Sequence, residues 1–87
     1  SVKKLKNEAK LLKEAIRVGM IFAEQRGAVE FEETDTAKEK AEYIYRLLVH
    51  DNLIQPLAKA EESDVNMKHK LALWMSRQLP KDHPLLK

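Results

Sequence analysis

Three histidines, His50, His69 and His83, are the residues of this chain best suited to metal binding or proton transfer. An imidazole ligates through one ring nitrogen, or moves a proton near neutral pH. A helical metal site wants a second ligand at i+3 or i+4, so that two side chains share a face. None of the three has a histidine partner at that distance. His50 and Asp51 are chain neighbours, as are Asp82 and His83, and on a helix neighbours point apart. The chain has no cysteine, which removes disulfides, thiolate metal sites and a cysteine nucleophile. It also lacks a glycine-rich phosphate loop and a serine in a nucleophile-elbow setting. The carboxylates between residues 30 and 35 read as a solvated loop rather than a pair held at fixed separation. The expectation is a non-enzymatic protein, with no catalytic, cofactor-binding or metal-binding residues.

What remains is binding chemistry. Lys68, Lys70 and Arg77 near the C-terminus, and the lysines near the N-terminus (Lys10 among them), could offer cations to nucleic acid. The formal net charge of only +2 and the equally strong acidic blocks argue against a dominant basic surface. Trp74 and the methionines Met20, Met67 and Met75 recur at helical spacing, which places them in a core before a partner groove. Leu5 and Ala9 are the apolar residues that short covering helices would leave over, and Leu85 and Leu86 are a second such pair.

These residues must be positioned by helices. Two glycines and three prolines in 87 residues are too few turn-formers for a β-rich fold. The first helix is expected from about residue 3 to 26. Val2, Leu5, Ala9, Leu12, Ile16, Gly19 and Ala23 follow one another at steps of three and four. Residues 12–26 carry apolar side chains almost all round, so this segment needs covering from more than one side. Gly27 supplies a left-handed C-cap. In the following connection Val29 and Phe31 are expected to tuck inward while Glu30, Glu32 and Glu33 face water.

Thr36-Ala37-Lys38-Glu39 reads as a capping box and starts a second helix, 37–52. Its buried stripe is Ala37, Ala41, Ile44, Tyr45, Leu48 and Val49. Pro56 opens a possible extra helical turn at 56–62. Ser63 or Asp64 caps a third helix, 64–79, which Pro80 stops. Residues 80–87 read as a loose tail. The fold class predicted is all-α, a single-domain up-down-up three-helix bundle. Residues 1–26 carry a net charge of +4 and residues 27–42 a net −4, while 43–64 are at −2. In an up-down-up order the basic start of helix one would face the acidic 51–64 region.

Asp35 to Leu53, a connection, and then Lys68-His69-Lys70 with Trp74 resemble the last two helices of the SRI domain. That resemblance implies binding of an acidic, phosphorylated peptide such as the tail of RNA polymerase II. Lys38 and Arg46 match two of the basic positions used on the family's middle helix. Glu42 stands at the third with the opposite sign, and the family's first-helix motif is missing.

The reading that follows is a helical protein–protein interaction module, excised from a larger intracellular protein of the cytoplasm or nucleus. Its partner is another protein or peptide, with Leu5, Ala9, Lys10, Lys38, Arg46, Lys68 and Lys70 as the candidate contact residues. Acidic-peptide recognition and nucleic-acid binding are the alternatives, and self-association through helix one is a third. No stretch approaches the ~18 uninterrupted apolar residues of a membrane span, so a membrane partner is not expected.

Overall fold

In a computed structural model of the chain, residues 5–27 and 36–86 are described. Three helices make up the fold: α1, Glu8–Gln25; α2, Ala37–His50; and α3, Asp64–Gln78. They pack on one another as a small three-helix bundle, with α1 and α3 the most extensively joined pair. No strand occurs among the described residues.

Local chemistry sets the helix ends. Thr36 caps α2, its hydroxyl oxygen accepting from the Glu39 amide at 3.1 Å, as the capping box requires. The reciprocal half differs. The Thr36 hydroxyl itself donates to the Glu39 carboxylate at 3.0 Å. Ser63 caps α3 by accepting from the Asn66 amide at 3.2 Å. At the other end of α2, Asn52 adopts a left-handed φ of 60°. The Leu53 amide then donates back to the Leu48 carbonyl at 2.9 Å, a Schellman closure that ends the helix at His50 rather than at residue 52. Gly27 has φ 66° and donates to the Glu24 carbonyl, as expected of the α1 terminator.

The start of α1 is later than its periodicity predicts. Asn7 takes a left-handed φ of 62°, a conformation asparagine tolerates better than most residues, and the helix begins at Glu8. The Glu8 carboxylate turns back to accept from the Leu5 amide at 3.0 Å. Val2 and the predicted first residues of the helix lie outside the described residues, as does the connection carrying Val29 and Phe31.

The buried stripe of α1 is Leu11, Ala15, Gly19 and Ala23, one position round from the predicted stripe at its first two places. Leu12 and Ile16, expected at the centre, are partly buried and pack against the core from its edge. From α2 the core receives Ala41, Ile44, Tyr45 and Leu48; from α3 it receives Met67, Leu71, Ala72 and Met75. Ala37, placed on the stripe from sequence, is exposed. The smallest of these residues set the closest approach. A Cβ added at Gly19 would lie 2.5 Å from Cγ2 of Ile44. Burying Ile44 completely contributes about 1.5–3 kcal/mol.

The connection from α2 to α3 is tied down by Tyr45, whose buried hydroxyl accepts from the Leu57 amide at 2.7 Å. Its single 3-10 turn is Lys59–Glu61, so Pro56 stands ahead of the turn rather than opening it. The tail also differs from expectation. Pro84–Leu86 forms a 3-10 turn, and Leu85 and Leu86 pack against the core rather than hanging free. Asn7 donates from its side-chain amide to the Leu85 carbonyl at 3.2 Å.

The start of α1 lies beside Asp64, at the end of the acidic 51–64 region, and the two border one depression. Arg26, just past α1, pairs with Asp51, just past α2, so these two C-terminal ends converge. Arg46 pairs with Glu62 at 3.4 Å and Lys68 with Asp64 at 2.9 Å. Asp51, Glu62 and Asp64 are thus each met by one of these three cations.

Candidate functional site

The histidines are placed by structural contacts. His69 donates through Nδ1 to Oε1 of Glu8 at 2.8 Å, with both side chains about 15% exposed. The same carboxylate oxygen caps the turn at Leu5, so the contact fastens α3 to the start of α1. His83 accepts from the Leu85 amide at 3.1 Å and shapes the C-terminal turn. His50 lies 3.3 Å from the Asp51 carboxylate. That contact corrects the expectation that the two diverge, because Asp51 has already left the helix. Hydrogen bonds from Arg26, with a smaller contribution from His50, hold the Asp51 carboxyl below its ordinary pKa. Among the described residues no group of three or more His, Asp or Glu side chains could hold a metal ion.

The seven predicted contact residues fall in three places. Leu5, Ala9, Lys10 and Lys68 come together at the start of α1 and α3, where they border one shallow depression with Leu12 and Val65. Val65 is 62% exposed. Ala9 is also exposed, while Leu5 and Leu12 are half-buried and rest on the core. An apolar floor is therefore open to solvent, and two cations, Lys10 and Lys68, and two acids, Glu8 and Asp64, line the same depression. Lys68 is anchored by Asp64, four residues earlier on the same helix.

Lys38 and Arg46 lie elsewhere, in a groove along α2 with Glu39, Glu42, Tyr43 and Leu47. Here acids alternate with the cations, and Arg46 is engaged with Glu62. This is poorer ground for an acidic peptide than the resemblance to the SRI domain implies. Lys70 is separate again. It borders a small recess with Trp74, Arg77 and the Asn52–Gln55 loop. Trp74 packs against the core and Met67 and Met75 are buried in it, so these side chains are mainly structural.

Two features were missed from the sequence. Val65 was assigned to the helix but not to a surface, because its neighbours at helical spacing, Lys68 and His69, gave it no apolar company. A further groove joins Lys10, Lys13, Glu14 and Arg17 of α1 to His83, Pro84 and Leu85. The sequence does not bring these together, since Pro80 and Pro84 signal a loose tail. Arg17 and Glu14 are paired there at 2.6 Å, and that hydrogen bond holds the Glu14 carboxyl below its ordinary pKa.

No helix among the described residues is long and apolar enough to cross a membrane. No curated protein matches the chain. The solution NMR structure of VV2_0175 from Vibrio vulnificus is similar to it, with a TM-score of 0.82 and 33% identity. The match covers 97% of this chain and 95% of that one. A family model described as Domain of unknown function (DUF5062) matches residues 4–86, nearly the whole sequence, and the chain belongs to that family.

Proposed function

We propose that this chain is a non-enzymatic helical module that binds another protein, through the surface of Leu5, Ala9, Leu12 and Val65. One observation carries the reading: Val65 is left 62% exposed beside three further apolar side chains. Clustered apolar surface is costly in water and gains most when a partner covers it. Lys68 is held by Asp64, so Lys10 is the cation there that would orient a partner bearing a carboxylate, and such charges act mainly on association rate and register. The cysteine-free composition suits a reducing compartment, so we place the interaction inside the cell.

The test is affinity capture with the chain as bait, followed by calorimetric titration of the recovered partner. Val65→Asp should weaken that partner by roughly tenfold or more, since it sets a charge in the covered surface. Equal affinity for the variant would rule this surface out.

A second reading is favoured by the groove of Lys10, Lys13 and Arg17 beside His83. Arg17 is held there by Glu14, which leaves Lys10 and Lys13 along one helix to follow the phosphates of a single-stranded nucleic acid. Binding of an oligonucleotide that falls steeply with salt and is lost in Lys10→Glu/Lys13→Glu would support it. Absence of binding at low salt would dispose of it.

A further inference from the structure

The recess between α3 and the turn that leaves α2 differs in charge from the α2 groove, the Leu5–Val65 depression and the Lys10–Leu85 groove. Each of those three mixes cations with at least one carboxylate. This recess is lined by two cations, Lys70 and Arg77, and by no acid. Neither cation forms an ion pair with another described residue. Asp51, next in the chain to the recess, is engaged by Arg26. Trp74 follows Lys70 by four residues and precedes Arg77 by three, so helical spacing puts all three on one face. It packs on the core with one part of its side chain and lines the recess with another.

The opposite wall is held in place. Asn52 is left-handed, the Leu53 amide is bonded to the Leu48 carbonyl, and Ile54 packs against the core. A wall fixed before a ligand arrives spares it the cost of ordering the loop. The carboxamides of Asn52, Gln55 and Gln78 also border the recess, each both donor and acceptor. A pair of uncompensated cations calls for an anion. An indole calls for a flat ring, and carboxamides for a ring with polar edges. We propose that this recess binds a nucleotide, with the phosphate at Lys70 and the base against Trp74 and Arg77. The polarity of α3 sets that orientation. Arg77 is in the last turn, where the negative end of the helix dipole disfavours a phosphate, whereas Lys70 lies in mid-helix. A guanidinium plane stacks on a base much as an aromatic ring does. At about 220 Å³ the recess is smaller than the ~300–1,000 Å³ of pockets that enclose a whole ligand, so it seats one nucleotide and leaves one side of it in water. A free mononucleotide and the phosphorylated end of a single strand both offer that chemistry. The recess shares no residue with the Leu5–Val65 surface or the Lys10–Leu85 groove, so it stands without either.

The test is titration with adenosine monophosphate, adenosine, inorganic phosphate and a short, terminally phosphorylated single strand, followed by heteronuclear NMR. Trp74 is the only tryptophan, so its indole N–H is a single reporter. The mononucleotide should shift that signal and the Asn52–Gln55 amides saturably, and bind roughly tenfold tighter than adenosine or phosphate alone. Lys70→Gln should lower its affinity roughly tenfold, to that of adenosine, while Arg77→Glu weakens nucleotide and nucleoside alike, with the amide spectra showing each variant folded. Tighter binding of the strand than of the mononucleotide identifies a strand end as the source, and equal or weaker binding identifies the free nucleotide. Val65→Asp and Lys10→Glu/Lys13→Glu should leave these shifts unchanged. No saturable shift at millimolar mononucleotide would overturn the proposal. So would phosphate or an acidic peptide that binds there as well as the nucleotide does, an affinity that ignores Lys70→Gln, or shifts that Lys10→Glu/Lys13→Glu abolishes.

Discussion

The two halves of α1 are dealt with in opposite ways. Toward its C-terminus the stripe is Ala15, Gly19 and Ala23, all fully buried, with Ile44 of α2 closing over Gly19. Toward its N-terminus the side chains are larger: Leu11 is buried, while Leu12, and Leu5 just ahead of the helix, are covered only in part. Small residues let a neighbouring backbone come close and complete the burial. At the other end Val65 of α3 is left in water. The difference separates what the fold requires from what it leaves available. The closed half is needed for stability, and the open half is spare surface that a partner can cover.

Substitutions can break that distinction. The largest effect is expected from Leu71→Ala in the closed core, where a fully buried leucine leaves a cavity costing about 2–5 kcal/mol by chemical denaturation. Gly19→Val should follow at about 1–3 kcal/mol, because its added atoms meet the buried side chain of Ile44, which must shift to admit them. A smaller loss, about 1–2 kcal/mol, is expected for Tyr45→Phe, which leaves the Leu57 amide without its acceptor. In the open half Val65→Asp should change stability by less than about 0.5 kcal/mol. A core-sized loss at Val65, or no loss at Gly19, would mean the two halves are not different.

The convergence of α1 and α2 has its own signature in acid. Arg26 lowers the Asp51 pKa in the folded chain, so the stabilisation it brings is present above the ordinary carboxylate value of 3.8. It is lost as the pH falls through the lower, folded value. Arg26→Gln should therefore flatten the stability profile in that acid range and leave its shape near neutrality unchanged. Urea midpoints measured against pH would show it, and an identical acid limb in the variant would contradict the pairing.

Much of this architecture is legible in the sequence where local chemistry decides it. Thr36 and Ser63 announce their caps, and Gly27 its terminator, because a hydroxyl or a missing Cβ acts within a few residues. The periodicity of α1 points one position away from its buried stripe, to Leu12 and Ile16, for the converse reason. A segment apolar on nearly every side does not say which side is innermost, and the close approach of Ile44 to Gly19 decides it. The start at Glu8 depends on a left-handed Asn7 and on His69, sixty-one residues away, sharing the Glu8 carboxylate. Leu85 and Leu86 looked free because Pro80 and Pro84 signal breaks, but a break in the helix is no bar to packing. Of the contact residues, Leu5, Ala9, Lys10 and Lys68 gather at one surface, while Lys38, Arg46 and Lys70 face elsewhere.

The most direct measurement is calorimetric titration of a captured partner into the wild-type chain and into Val65→Asp, with both shown to be equally folded. The account predicts tight binding to the first and a loss of roughly tenfold or more in the second. Indistinguishable affinities would contradict it and return the open end of α1 to ordinary surface.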